Sequence, residues 1–250
     1  MRGMKGFIGP LVCVALALLV LWSVRLRAPE DVPVKPPAAA EAQSLAARLA
    51  RGPVLYRWTE AGLAEALDHH GGVWFLQAGG RVYSFAWFER SEYVRPWPAV
   101  EGVGTLDGDE LYMAYRNATY DPSHDFYHAR VHFVFEPDAR RFECDFLQQA
   151  SNTGAADEDL SPGGAKGVWV AEPGPDDRAH RERLERMPGP AYAAESGLHR
   201  DVPRCAVLPQ RAAEPAYEVN YEGRVYRFCC PSCREVFMRR PEAFRVQASE

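Results

Sequence analysis

Four of the six cysteines, Cys205, Cys229, Cys230 and Cys233, fall in the last fifth of the chain; the other two, Cys13 and Cys144, lie far from them. A disulfide scaffold would spread its cysteines over the whole globular part, so this clustering reads as a local ligand set. The residues around it give the set a frame. Tyr217, Val219 and Tyr221 alternate, Glu222-Gly223 turns the chain, and Val225 to Phe228 returns, which predicts a hairpin. Pro231 fits the first turn of a following helix, with Val236 and Phe237 on its apolar side, Arg239 and Arg240 in its last turn and Pro241 as its stop. Cys229, Cys230 and Cys233 then sit where a strand ends and a helix begins, and helix amides stabilise thiolates there. Cys205, from before the hairpin, can fold back onto them.

A unit of about fifty residues with few large side chains makes a marginal core, and such units usually need a metal or disulfides. Three or four thiolates suit Zn²⁺ or Cu(I), which this ligand set does not distinguish. The pattern of Cys205, then Tyr221-x-Gly223-x-x-Tyr226-x-Phe228, then Cys229-Cys230-Pro231-x-Cys233, Phe237 and Pro241-x-x-Phe244 resembles the YHS/TRASH family of small, treble-clef-like heavy-metal-binding modules. The resemblance covers the last 45 or so residues. It implies a metal-binding domain over 199–250 with Cys205, Cys229 and Cys233 as ligands. Many members of that family carry a second cysteine shortly after the first, where this chain has Val207 and Leu208. The fourth ligand is therefore open between Cys230, His199 and solvent. Three readings follow: metal handling or sensing, a structural zinc staple, and thiol–disulfide chemistry at Cys230-Pro231-Ser232-Cys233. The last lacks the βαβ frame that a thioredoxin-like motif needs, since 17 residues follow Cys233.

At the other end, Phe7 to Val24 is an uncharged apolar run of 18 residues preceded by Arg2 and Lys5. At ~1.5 Å per residue it just spans a hydrocarbon core of ~30 Å, which predicts a transmembrane helix and a membrane anchor over residues 1–27. No small-x-small site follows it closely, as a cleaved signal would require. The expectation is a single-pass membrane protein whose soluble part is periplasmic or extracellular. Residues 28–43, with Pro29, Pro33, Pro36 and Pro37 among alanines, read as a linker.

Between these ends, residues 44–187 read as an antiparallel β-rich domain, so the whole is mainly β. Leu45 and Leu49 suggest a short helix. Val54 to Trp58 reads as a strand, and Thr59 as the cap of a helix running to Gly71-Gly72. Hairpins are expected around Gly79-Gly80, Asp107-Gly108 and Pro137-Asp138, with Val168 to Ala171 as a last strand. Ala155 to Gly167 reads as an acidic, Gly-rich loop, and Asp176 to Met187 as a charged helix or linker. Seven or so strands make a sandwich or small barrel, an architecture that would also suit a lipocalin-like ligand binder.

This domain offers little chemistry. His124, His128 and His132 recur every four residues, but in a strand that spacing is ~13 Å, too wide for one metal site. They are expected on a solvated or cross-strand face near Glu143 and Asp145, opposite Val131, Phe133 and Phe135. Cys144 alternates with Phe142 and Phe146 and reads as buried. His69-His70 reads as a helix end, and Asn117-Ala118-Thr119 matches a glycosylation acceptor. No nucleophile elbow, phosphate loop or dinucleotide fingerprint is present, so no enzyme activity is expected. The net charge of −5 argues against a nucleic-acid partner; the partners expected are a metal ion and, through residues 7–24, a membrane.

Overall fold

The computed structural model describes residues 43–61, 70–90, 99–118, 128–149, 161–195, 197–199 and 201–245. Glu41–Glu250 form one compact unit. It starts with helix α1 (Leu45–Leu49), whose first turn is capped by the Ser44 hydroxyl accepting from the Ala47 amide. Eight strands follow: β1 (Val54–Ala61), β2 (His70–Ala78), β3 (Arg81–Arg90), β4 (Ala99–Asp107), β5 (Glu110–Asn117), β6 (His128–Phe135), β7 (Arg141–Gln149) and β8 (Ser161–Trp169). Each pairs antiparallel with the next, and β8 returns to pair with β1, so the sheet closes into a barrel.

The choice between sandwich and small barrel is thus decided by the β1–β8 ladder, in which Tyr56 faces Trp169 and Ala61 faces Gly164. The expected helix after Thr59 does not start there: Thr59 to Ala61 continue β1, and Gly71-Gly72 lie within β2. His70, expected at a helix end, is the first residue of β2. The Gly-rich stretch before Val168 is largely strand β8, because aromatic rings of β7 need glycines opposite them. A Cβ on Gly167 would sit 2.1 Å from the Phe142 ring, and one on Gly163 2.3 Å from Phe146. The hairpin at Gly79-Gly80 has positive φ at both positions, as its sequence requires.

Inward side chains fill the barrel. Tyr56, Phe75, Phe133, Phe135 and Phe142 meet edge to face, with centroids 5.1–5.9 Å apart. These rings occupy the interior that a lipocalin-like binder would keep open. Leu45 and Leu49 of α1 join the same core.

After the barrel come α2 (Pro175–Arg186) and α3 (Pro190–Ala194), the hairpin β9 (Glu214–Tyr221) and β10 (Arg224–Phe228), helix α4 (Pro231–Arg239) and a 3₁₀ turn over Pro241–Phe244. A second apolar core lies outside the barrel. It joins outward residues of its wall, among them Leu55, Trp74, Phe85 and Val103, to Leu184 of α2 and to Leu208, Phe228 and Phe237 of the C-terminal segment.

The expectation of a transmembrane helix and a single-pass membrane protein is corrected on one finding: among the described residues no helix is long and apolar enough to cross a membrane. Residues 7–24, which carry the expected anchor, lie outside the described residues, as do the linker up to Ala42, His69, His124 and Thr119.

Candidate metal centre

Two segments bring the C-terminal cysteines together. The first is a knuckle over residues 204–212. The Cys205 amide donates to the Arg211 carbonyl, the Arg211 amide to the Leu208 carbonyl, and the Leu208 amide to Cys205 Sγ at 3.3 Å. Ala206 also donates to the carbonyl of Arg227 in β10, which lays the knuckle beside the hairpin. The second segment is the passage from β10 into α4. Cys229 follows the last strand residue, Cys230 is the N-cap, Pro231 fixes the first turn and Cys233 lies in that turn. This is the strand–helix junction predicted from the sequence, and hairpin and helix lie where the sequence puts them.

The Sγ atoms of Cys205, Cys229 and Cys233 all lie within 4.8 Å of one another, near enough to hold a metal ion. Cys229 and Cys233 are 3.6 Å apart, and Cys230 Sγ lies 3.8 Å from Cys229 Sγ. Four sulfurs at ~2.3 Å around a tetrahedral ion would be ~3.8 Å from each other. Cys230 stands outside the mutual group of three. The donor set fits a soft or borderline ion: all sulfur, with exposures of 1, 5, 2 and 0% for Cys205, Cys229, Cys230 and Cys233. His199 does not join it; its side chain is 79% exposed and pairs with Asp201 at 3.1 Å. Leu208 is fully buried, and its amide is what it turns to the Cys205 sulfur.

The sulfurs act on each other electrically. Burial pushes the Cys205 thiol up, but hydrogen bonds from Cys229 and Cys233 outweigh it and hold Cys205 well below the ordinary thiol value. Cys233 is held well above that value by burial and by its three sulfur neighbours, and Cys230 is raised by burial and by Cys229. An ion bound by these sulfurs would displace their protons, so its binding would release protons to solvent. Cys144 contrasts with it: alone inside the barrel, its thiol is pushed up to about 12 by burial, which leaves it an inert core residue.

The outer wall of the barrel faces this centre with a polar row across three strands, Glu101 on β4, Arg116 on β5 and His128 on β6, which are register partners. Arg116 Nη1 donates to the Cys229 carbonyl at 3.4 Å, and His128 Nδ1 meets Ser232 Oγ at 3.2 Å. Glu101 accepts from Gln210 at 3.2 Å and from Arg183 at 2.8 Å, and bonds the Tyr192 hydroxyl. His128 does point outward as the alternation predicts, but it is buried, not solvated, because α4 covers it. His132, four residues on, remains near the surface, stacked on Tyr112 and bonded to Glu110 at 3.1 Å. Its register partner is Asp145, while Glu143 bonds Lys166. Asn117 of the glycosylation-like triplet is buried, and its carbonyl accepts from Arg211.

Sequence reasoning missed Arg116, Glu101 and Ser232 as neighbours of the cysteines. The available signal was the unbroken apolar run Val73-Trp74-Phe75-Leu76 in β2, which marks a strand covered on both faces. Something had to pack on the outside of this barrel.

No family model, no curated protein and no solved structure matches the chain.

Proposed function

We propose that the chain is a metal-binding protein of non-enzymatic kind, in which Cys205, Cys229 and Cys233 hold one thiophilic ion, Zn²⁺ or Cu(I), as a structural staple. The observation that carries this is the convergence of three buried sulfurs from segments 24 residues apart into one group within 4.8 Å. The likeness of the segment to YHS/TRASH modules points the same way. Burial favours the staple over exchange, because all four cysteines are at most 5% exposed and offer an exchanging partner little access. Burial also disfavours redox turnover at Cys230 and Cys233, since a reactive thiol needs access and a lowered, not raised, pKa.

Serine substitution separates these readings. Cys205→Ser, Cys229→Ser and Cys233→Ser are each expected to abolish stoichiometric metal binding, as shown by competition with a chromophoric chelator. Cys230→Ser reports the fourth position: loss as severe as the others makes it a ligand, and a mild loss a neighbour. A structural ion leaves the native protein over hours in excess chelator, whereas a handled ion leaves within seconds. Full metal content in Cys205→Ser, with a Cys230–Cys233 disulfide that turns over, would sink the metal reading.

A further inference from the structure

Sulfur ligands bring a charge problem with them. Three thiolates around a divalent ion leave one net negative charge, and four around it, or three around Cu(I), leave two. All four cysteines here are at most 5% exposed, so water does not answer that charge. An uncompensated buried charge is costly enough to shift the equilibrium away from ion binding. The α4 N-terminus offers part of the answer, equivalent to about half a positive charge at Cys230 and Cys233.

A full positive charge comes from another part of the fold. Arg116 belongs to β5, and its guanidinium is buried between the barrel wall and the cysteine junction, donating to the Cys229 carbonyl. Arg211, the other buried guanidinium of this junction, is turned to the Asn117 carbonyl. The neighbouring carboxylate in the cross-strand row, Glu101, faces Arg183. Arginine suits the place because it does not lose its proton when buried.

We infer that Arg116 is the counter-charge of the metal–thiolate centre, so that the C-terminal cysteines form a complete site only against the wall of the barrel. This rests on the metal reading above. Arg116 is a positioning and charge-compensating residue, not a ligand. It ties ion affinity to the docking of α4, so a metal-loaded C-terminal segment is bound more tightly to the barrel than a metal-free one.

The test is the Zn²⁺ affinity of the full chain by chelator competition, with Co²⁺ absorption as a report on the ligands. Arg116→Gln keeps a donor for the Cys229 carbonyl and removes the charge; Arg116→Lys keeps the charge. Arg116→Gln is expected to weaken Zn²⁺ binding at least tenfold with the Co²⁺–thiolate bands unchanged, and Arg116→Lys to stay within about threefold of wild type. Wild-type affinity in a folded Arg116→Gln overturns the inference and leaves the metal centre standing. If Arg116→Gln does not fold, Arg116→Lys decides: a tenfold loss there, despite the retained charge, overturns it. A wild-type chain that binds no Zn²⁺, Cu(I) or Co²⁺ overturns both this inference and the metal reading.

Discussion

Glu101 is 1% exposed on the outer wall of the barrel, where a carboxylate is stable only if its charge is answered. Arg183 from α2, the Tyr192 hydroxyl from α3 and Gln210 from the cysteine knuckle all converge on it. One side chain thereby ties three later segments to β4. Removing it leaves Arg183 facing an apolar wall, and breaking such a pair typically costs ~3–5 kcal/mol. Arg183 is a third exposed, which places Glu101→Ala near the lower end, about 3 kcal/mol, read as a fall in the urea midpoint without a change in slope. A loss under about 1 kcal/mol would show that the network is decorative. At this scale the sequence was half legible. Cysteine spacing located the sulfurs, because ligand geometry needs particular residues at particular offsets. Glu101, Arg116 and His128 were illegible as neighbours, because nothing local to a strand states what packs on its outer face.

Strand β8 shows the same limit at the scale of elements. Its sequence, Ser161–Trp169, holds three glycines and a proline and up to Gly167 reads as a loop. Gly163 and Gly167 are there because β7 lays Phe146 and Phe142 across the cross-strand positions, so tertiary packing overrides local propensity. Gly167→Ala places a methyl group into the Phe142 ring and is expected to cost about 1–3 kcal/mol of barrel stability, against near neutrality at an open strand glycine. An unchanged thermal midpoint would contradict this packing. Turns were easier to read, since Gly79-Gly80 and Glu222-Gly223 need only their own backbone freedom. Helix α2 carries a different consequence. His180 stacks on Trp87 at 4.2 Å and on Phe85 at 5.4 Å, and burial lowers its pKa against the opposing pull of Asp177 and Asp176. The unfolded chain then binds a proton that the native chain resists. Stability should fall as pH drops below ~6.5, the ordinary histidine value, and level off once the native imidazole is protonated. His180→Phe keeps the stack and should flatten that part of the stability profile; an unaltered slope would place the titration elsewhere.

For the molecule as a whole, the cysteine cluster and the outer wall of the barrel share one apolar core. Trp74, Tyr83, Phe85 and Val103 of the wall are covered by helices and knuckle, with Phe228 and Phe237 in the same cluster. The C-terminal segment holds on through Arg130–Glu235, Arg240 to the Leu106 carbonyl at 2.6 Å and Arg81 to the Ala243 carbonyl at 2.7 Å. The barrel interior is a separate cluster closed by its own ladder. Stripping the ion should therefore loosen the segment after residue 195 and leave the barrel folded. The signs would be proteolysis confined to that segment, new binding of an apolar dye and retained far-ultraviolet strand signal. Global unfolding on chelation would mean the two cores are one cooperative unit. All of this depends on an ion being held by Cys205, Cys229 and Cys233. The most direct measurement is native mass spectrometry of the purified chain beside its Cys205→Ser variant. One zinc or copper ion per wild-type chain and none in the variant is the result expected. A metal-free wild-type chain, or a variant that keeps its ion, would contradict the account.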